Sequence, residues 1–262
     1  MTEMRIASLA SGSKGNAYLV EQDGEALLID CGICFKSLKA RIEGLFDAAD
    51  GGGAPRICGV LLTHSHADHT AGLRPLLSKV DVAVYANAMT AEVAAAQEHL
   101  DGDAFACFEN GQCFGVGPFE VCAFSVPHDT SDPVGYLVKG AGVYFHGTDI
   151  GVPLDSVGLK LAAADVATLE SNHDPVMLRT SGRPPAVIQR IAGPRGHLSN
   201  DEAGELVRRF ASPRLRRLAL AHLSRACNAP HLAEAAARGA LLARGRRDVA
   251  LTVLSQDDAT WI

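Results

Sequence analysis

The stretch Leu61-Leu62-Thr63-His64-Ser65-His66-Ala67-Asp68-His69-Thr70 puts three histidines and an aspartate within six residues at the end of an apolar strand. Where the backbone stays extended, positions i, i+2 and i+4 share a face. That predicts His64, His66 and Asp68 pointing the same way, with His69 turning inward as the chain begins a helix carrying Leu73, Leu76 and Leu77. Imidazoles and a carboxylate converging at one strand end suit a borderline divalent metal. A polar loop that happens to be rich in histidine is the competing, weaker reading.

Outward from this stretch, β-like runs alternate with helical patterns. Strands are expected at Arg5–Ala10, Ala17–Glu21, Ala26–Asp30, Ile57–Thr63, Val82–Ala86, Phe119–Val126, Gly135–Val138, Val143–Gly147, Val166–Leu169, Leu218–Leu223 and Val249–Leu254. Helices are expected at Phe35–Phe46, Ala71–Leu77, Thr90–Leu100, Asn200–Phe210 and Ala229–Ala243. Ser199-Asn200-Asp201-Glu202 supplies cap residues and early acids for the fourth helix. Asp50–Pro55 reads as a loop, since strand signals resume directly after it. The fold class expected is α/β, with helices covering the sheets.

The chain has 262 residues, 47% hydrophobic and 21% charged, with mean hydropathy +0.09. That excludes disordered, collagen-like and coiled-coil proteins. Its longest apolar runs, Ile57–Leu62 and Leu215–Ala221, fall short of the ~20 residues of a membrane span. Met1–Ile6 leads straight into a strand with no signal peptide visible, so a soluble, cytoplasmic protein is expected. Seven scattered cysteines read as reduced thiols. Cys31-Gly32-Ile33-Cys34 is formally a C-x-x-C, but reads as small residues between a strand end and a helix start. Charge is uneven. Residues 1–150 carry 9 Lys+Arg against 19 Asp+Glu, whereas residues 151–262 carry 15 against 11, nearly all of the basic groups being arginine. Composition alone favours solvated helix faces over an anion-binding surface, and the asymmetry gains weight only with a phosphate-processing site beside it.

The His64–His69 segment matches the H-x-H-x-D-H signature of the metallo-β-lactamase superfamily, and the chain resembles that family along nearly its whole length. Val126-Pro127-His128, His146-Gly147-Thr148-Asp149 and Leu220-Ala221-His222 stand where the family places its later histidine, aspartate and last histidine. The resemblance implies a four-layer αββα sandwich of two mixed β-sheets flanked by helices, formed by residues 1–262 as one domain. It also implies two divalent ions (Zn or Mn, with Fe also compatible), one held by His64, His66 and His128 and the other by Asp68, His69 and His222, with Asp149 between them. His146 reads as packing, because on a regular strand it shares the face of Thr148. His99 and His231 read as surface or helix-end residues.

Four further segments, Ser8–Asn16, Leu169–Asp174, Gly193–Asn200 and His222–Pro230, look like the YycJ/WalJ branch, exonuclease-type relatives of RNase Z and RNase J. The resemblance implies a 5′-to-3′ DNA exonuclease that uses a metal-activated hydroxide. Its catalytic set is His197, Glu170 and Asp68, with His197 serving the leaving group and Glu170 orienting it. Ser13, Asn16, Arg195, Ser199 and Asn228 are the expected substrate contacts. Among them, the Ser11–Asn16 loop is expected to form an anion nest and Ser199 to head an anion-binding helix N-terminus. His173 and Asp174 are left without a role. RNase Z carries a long tRNA-binding arm that this chain lacks. RNase J inserts a large domain before its last histidine motif, whereas only 73 residues separate Asp149 from His222. DNA is therefore favoured over RNA as partner, with no membrane partner and homo-oligomerisation left open. The alternatives are hydrolysis of a small ester, thioester or lactam, in which Glu170 and His197 have no evident task, and a metal-stabilised non-catalytic regulator.

Overall fold

The computed structural model describes residues 3–49 and 53–262. Asp50, Gly51 and Gly52 of the expected loop lie outside the described residues. The strands form two seven-stranded sheets. The first contains β1 (Arg5–Ala10), β2 (Ala17–Gln22), β3 (Glu25–Ile29), β4 (Arg56–Leu61), β5 (Val84–Asn87) and β6 (Phe105–Phe108). The second contains β7 (Cys113–Val116), β8 (Phe119–Ser125), β9 (Val134–Lys139), β10 (Val143–Gly147), β11 (Val166–Glu170), β12 (Arg217–Ala221) and β13 (Ala250–Val253). The chain then returns to the first sheet as β14 (Thr260–Trp261), antiparallel to β1. Both sheets are mixed: β3 to β6 and β10 to β13 run parallel, and antiparallel hairpins complete each sheet.

Strand parity sorts the apolar residues into layers, because successive side chains point to opposite faces. Leu27 and Ile29 of β3 face the space between the sheets, where they join Ile6, Val20, Leu61, Val121, Tyr136 and Tyr144. Leu28, Leu19 and Val60 face outward onto α1 (Phe35–Ala49), which presents Leu38, Ile42, Leu45 and Phe46 at helical spacing. Ala91 and Ala94 of α4 (Ala88–Glu98) cover the same face. The outer face of the second sheet packs on α5 (Asp155–Leu161), α8 (Asn200–Phe210) and α9 (Pro230–Ala243). With both faces buried, the central strands read as continuous apolar runs. The result is the expected αββα order.

Three local expectations change. One helix was expected over Ala71–Leu77; the structure has two short ones, α2 (Ala67–Thr70) and α3 (Leu73–Leu77). Because α2 starts at Ala67, Asp68 no longer shares an extended face with His64 and His66. The expectation of seven reduced cysteines also fails. Cys113 and Cys122 face each other across the β7–β8 hairpin with Cα atoms 4.1 Å apart, and they form a disulfide. Cys31, Cys34, Cys58, Cys107 and Cys227 are free. Periodicity also missed α5 and two helices, α6 (Pro175–Arg179) and α7 (Pro185–Ile191), that each begin with proline in the first turn, where its missing N–H costs nothing. Among the described residues, no helix is long and apolar enough to cross a membrane.

Candidate metal centre

The site lies along one rim, at the carboxyl ends of strands, where open α/β sheets generally place ligands. His64 and His66 follow β4, His128 follows β8, Asp149 follows β10, Glu170 ends β11 and His222 follows β12. Asp30, Asp149 and His222 each follow a strand with φ of 58°, 55° and 56°. This left-handed conformation is one that Asp and His tolerate better than most side chains. It turns each side chain over the rim as its strand stops.

Two neighbouring sets of donors result. In one, His64, His66 and His128 offer ring nitrogens within 4.8 Å of one another; in the other, Asp68, His69 and His222 do the same with a carboxylate oxygen and two nitrogens. Asp149 stands between them, 3.4 Å from His69 Nε2 and 3.7 Å from His128 Nε2. Nε2 of His64, His128 and His222 and Oδ2 of Asp149 are buried without a hydrogen-bond partner, although buried polar atoms are rarely left so.

Hydrogen bonds at the other ring nitrogens aim these atoms. Thr63 Oγ1 donates to Asp30, which as a carboxylate only accepts, so the hydroxyl accepts from His64 Nδ1 at 2.9 Å. His128 Nδ1 donates to the Gly196 carbonyl at 2.9 Å. With Nδ1 engaged in each ring, Nε2 is the nitrogen left facing inward, the one available to a divalent cation. Asp30 Oδ2 lies 2.7 Å from His69 Nδ1, and Glu170 Oε1 lies 3.0 Å from His222 Nδ1. The residues fit divalent cations. Zn–N and Zn–O bonds of about 2.0–2.2 Å put two donors of one ion no more than about 4.4 Å apart, close to the observed spread.

Electrostatics differ between the two sets. Burial, helped by His69 and His128, holds His64 well below the usual imidazole range. Burial and His128 likewise lower His66. At His69 burial acts the same way, but the carboxylates of Asp30, Asp149 and Asp68 outweigh it and raise the imidazole to about 9. His222 is raised by Asp149, Asp68 and Glu170 against its burial. Burial would raise Asp149, yet the surrounding imidazoles hold it well below the usual carboxylate range.

Glu170 is fully buried and bonds on all sides. Its Oε1 lies 2.8 Å from His197 Nδ1 and also reaches His222, while Oε2 accepts the main-chain N–H groups of Ile150 and Leu198. Burial opposes its ionisation, but His197 and His222 prevail and bring it down to about 2. His197 is raised in turn: burial alone would lower it, and Glu170 and Asp149 overcome that. Its ring stands between those of His128 and His222, with centroids 5.0 and 5.2 Å away.

The expected substrate contacts divide. Ser13 is exposed at the loop tip. Arg195 lines a cleft of about 600 Å³ with His66, Ser65, Asp129 and, on α4, Met89 and Val93. The other three are engaged inside the protein. Asn16 is buried and donates to Gly12 and Asp68, bracing the metal loop. Ser199 closes a capping box with Glu202, whose carboxylate takes the place of an external anion at the start of α8. Asn228 binds the Ser171 carbonyl and Asn200. The expected anion nest is also absent. The N–H groups of Ser11, Gly12, Lys14, Gly15 and Asn16 go to Ser255, Asn16, Gln256, Gly12 and Asp68. Gly32 fits the reading of the C-x-x-C as a tight passage, since a Cβ there would meet the Asp68 carbonyl at 1.7 Å.

Sequence reading missed Asp30, Thr63, Ser11 and Asn172. Ser11 Oγ accepts the His222 N–H, and Asn172 donates to the His222 carbonyl. Asp30 had one signal, an acid ending an apolar strand as Asp149 does. His146 is buried against Tyr18, with Nδ1 beside the Tyr144 hydroxyl, and burial lowers it to about 4. His173 is buried with Nδ1 unpartnered, and Asp174 caps α6.

Comparison with known proteins agrees with this architecture. Residues 10–150 match the metallo-beta-lactamase superfamily. The exodeoxyribonuclease YycJ of Bacillus anthracis is 34% identical over 242 residues, covering 88% of this chain and 86% of that protein. The exodeoxyribonuclease WalJ of Streptococcus pneumoniae is 31% identical, covering 87% and 85%. Among solved structures, Zn(2+)-bound PqqB from Methylobacterium extorquens superimposes with a TM-score of 0.72 at 17% identity, over 99% of both chains.

Proposed function

Because the chain belongs to the metallo-β-lactamase superfamily, in the group that includes YycJ and WalJ, it is a metal-dependent hydrolase, and we propose that it is a two-metal nuclease removing nucleotides from the 5′ end of DNA. His64, His66 and His128 would hold one ion and Asp68, His69 and His222 the other, with Asp149 shared. Zn and Mn both suit these donors. Ions so placed supply Lewis acidity to a phosphoryl oxygen and lower the pKa of water from 15.7 to about 7.

The observation that carries the phosphodiester reading is the Glu170–His197 contact of 2.8 Å beside Asp149. A sugar oxygen is a poor leaving group and must take up a proton as its bond to phosphorus breaks. With Nδ1 donating to Glu170, His197 presents Nε2, and the carboxylate favours the protonated ring. His197 gives that proton to the departing 3′-oxygen of the released nucleotide, and Glu170 is the positioning residue. Arg195, which lines the cleft with His66, would pair with a substrate phosphate. The arginine excess gives partial support only. Arg208, Arg209, Arg214, Arg225, Arg238 and Arg246 each pair with a nearby acid. A cytoplasmic setting accords with a nucleic-acid substrate; a reducing compartment would open the Cys113–Cys122 bond.

The test is an end-labelled panel of single- and double-stranded DNA and RNA, with Mn and Zn supplied in parallel. Release of labelled mononucleotide from 5′-labelled DNA is expected. His197→Ala should lose about 10²–10⁴-fold on oligonucleotides and much less on a p-nitrophenyl phosphodiester, whose leaving group needs no proton. A metal-loaded protein that leaves every nucleic acid intact overturns the proposal. Turnover of a lactone or thioester instead would support the small-ester alternative.

A further inference from the structure

Asp129 follows His128 and had no part in the expected donor set. Its two carboxylate oxygens meet different surroundings. Oδ2 faces outward, 3.5 Å from Nη1 of the exposed Arg190. Oδ1 faces inward, 3.3 Å from His128 Nε2 and 3.7 Å from His66 Nε2, and is buried without any hydrogen-bond donor. His128 is itself buried, and its Nε2 is equally unpartnered. With His128 Nδ1 donating to the Gly196 carbonyl, Nε2 is the ring nitrogen that faces Asp129. A buried carboxylate oxygen and a buried ring nitrogen thus stand 3.3 Å apart, neither with a hydrogen-bond partner, as two donors to one cation would.

Resting on the two-metal reading above, we propose that Asp129 is an additional donor at the His64–His66–His128 position and tilts its preference towards Mn(II) over Zn(II). With Asp149 Oδ1 3.7 Å from His128 Nε2, that position then has three imidazoles and two carboxylates. Zinc is typically satisfied by four donors, whereas manganese favours oxygen ligands and a larger coordination number. Arg190 neutralises the outward oxygen and keeps the inward one aimed.

The test is titration of the metal-free full chain with Mn(II), followed by electron paramagnetic resonance, and with Zn(II) in competition with a chelating dye. Asp129→Asn preserves shape and removes the charge; Asp129→Ala is run beside it, and circular dichroism checks the fold of both. Mn affinity at one of the two positions should fall at least about tenfold, and Zn affinity less than threefold. Unchanged Mn affinity, or equal losses for both metals, overturns the assignment of Asp129 alone. A native chain that takes up no ion overturns this assignment and the two-metal reading together.

Discussion

The two donor sets, three histidines in one and two histidines with an aspartate in the other, support their imidazoles with different oxygens. At the His64–His66–His128 position, the Nδ1 partners are a hydroxyl on Thr63 and a main-chain carbonyl on Gly196. At the Asp68–His69–His222 position they are the carboxylates of Asp30 and Glu170. A carboxylate behind an imidazole raises its basicity and its strength as a donor. Each position has two buried histidines and one more open donor, His66 at 39% exposed and Asp68 at 26%. On the function proposed above, the carboxylate-backed position binds its ion more tightly, whereas the first, whose His66 lines the cleft, exchanges its ion more readily. An inward carboxylate at Asp129 gives the first position, on the cation side, the charge it lacks behind its histidines.

Substituting Asp149 removes what the two positions share, so it should have the largest effect. Asp149→Ala should lower bound metal from two ions per chain to one or fewer, by elemental analysis. Phosphodiester hydrolysis should drop about 10³-fold, some 4 kcal/mol of transition-state stabilisation. Retention of two ions and near-native rates would show that the positions are independent of it.

Asp30→Asn separates the two positions. It should weaken the ion at His69 about 10- to 100-fold by titration calorimetry and the other much less, because Asp30 backs His69 directly and reaches His64 only through Thr63. Equal weakening of both ions would erase the contrast drawn between them.

Protons give the smallest and finest distinction. In the metal-free chain His69 holds its proton up to about 9, so metal uptake at its position displaces a proton at neutral pH. His64 and His66 are held below the usual range, so uptake at theirs displaces none from these rings. Calorimetry in buffers of different ionisation heat should find proton release confined to one binding event. Linkage fixes the sign for stability as well. The folded-state value of about 9 lies above the ~6.5 of an unfolded histidine. The ion pair's contribution is therefore fully present below about pH 6.5 and lost as pH rises through 9. The melting temperature of the metal-free protein should fall by a few degrees across that interval.

What could be read in the sequence was what is local. His64 to His69 lie in one short stretch, and its match to the metallo-β-lactamase signature let His128, Asp149 and His222 be named from the family pattern before any geometry was known. The apolar runs at Ala26–Asp30 and Ile57–Thr63 likewise marked strands. The supports were not legible. Asp30 reaches His69 across 39 residues, and nothing around Leu28-Ile29-Asp30 names its partner. The glycines and serines of 11–16 suggested free N–H groups, but Ser255, Gln256 and Asp68 take several of them from distant parts of the chain. The Cys113–Cys122 pairing depends on hairpin register, which spacing alone does not specify.

Anomalous diffraction from crystals of the manganese-loaded protein tests the central claim most directly. The account predicts two peaks about 3.5–4 Å apart, one against Nε2 of His64, His66 and His128 and the other against His69, His222 and Asp68, with Asp149 reaching both. A single peak, or imidazoles turned away from one another with no peak among them, would contradict it.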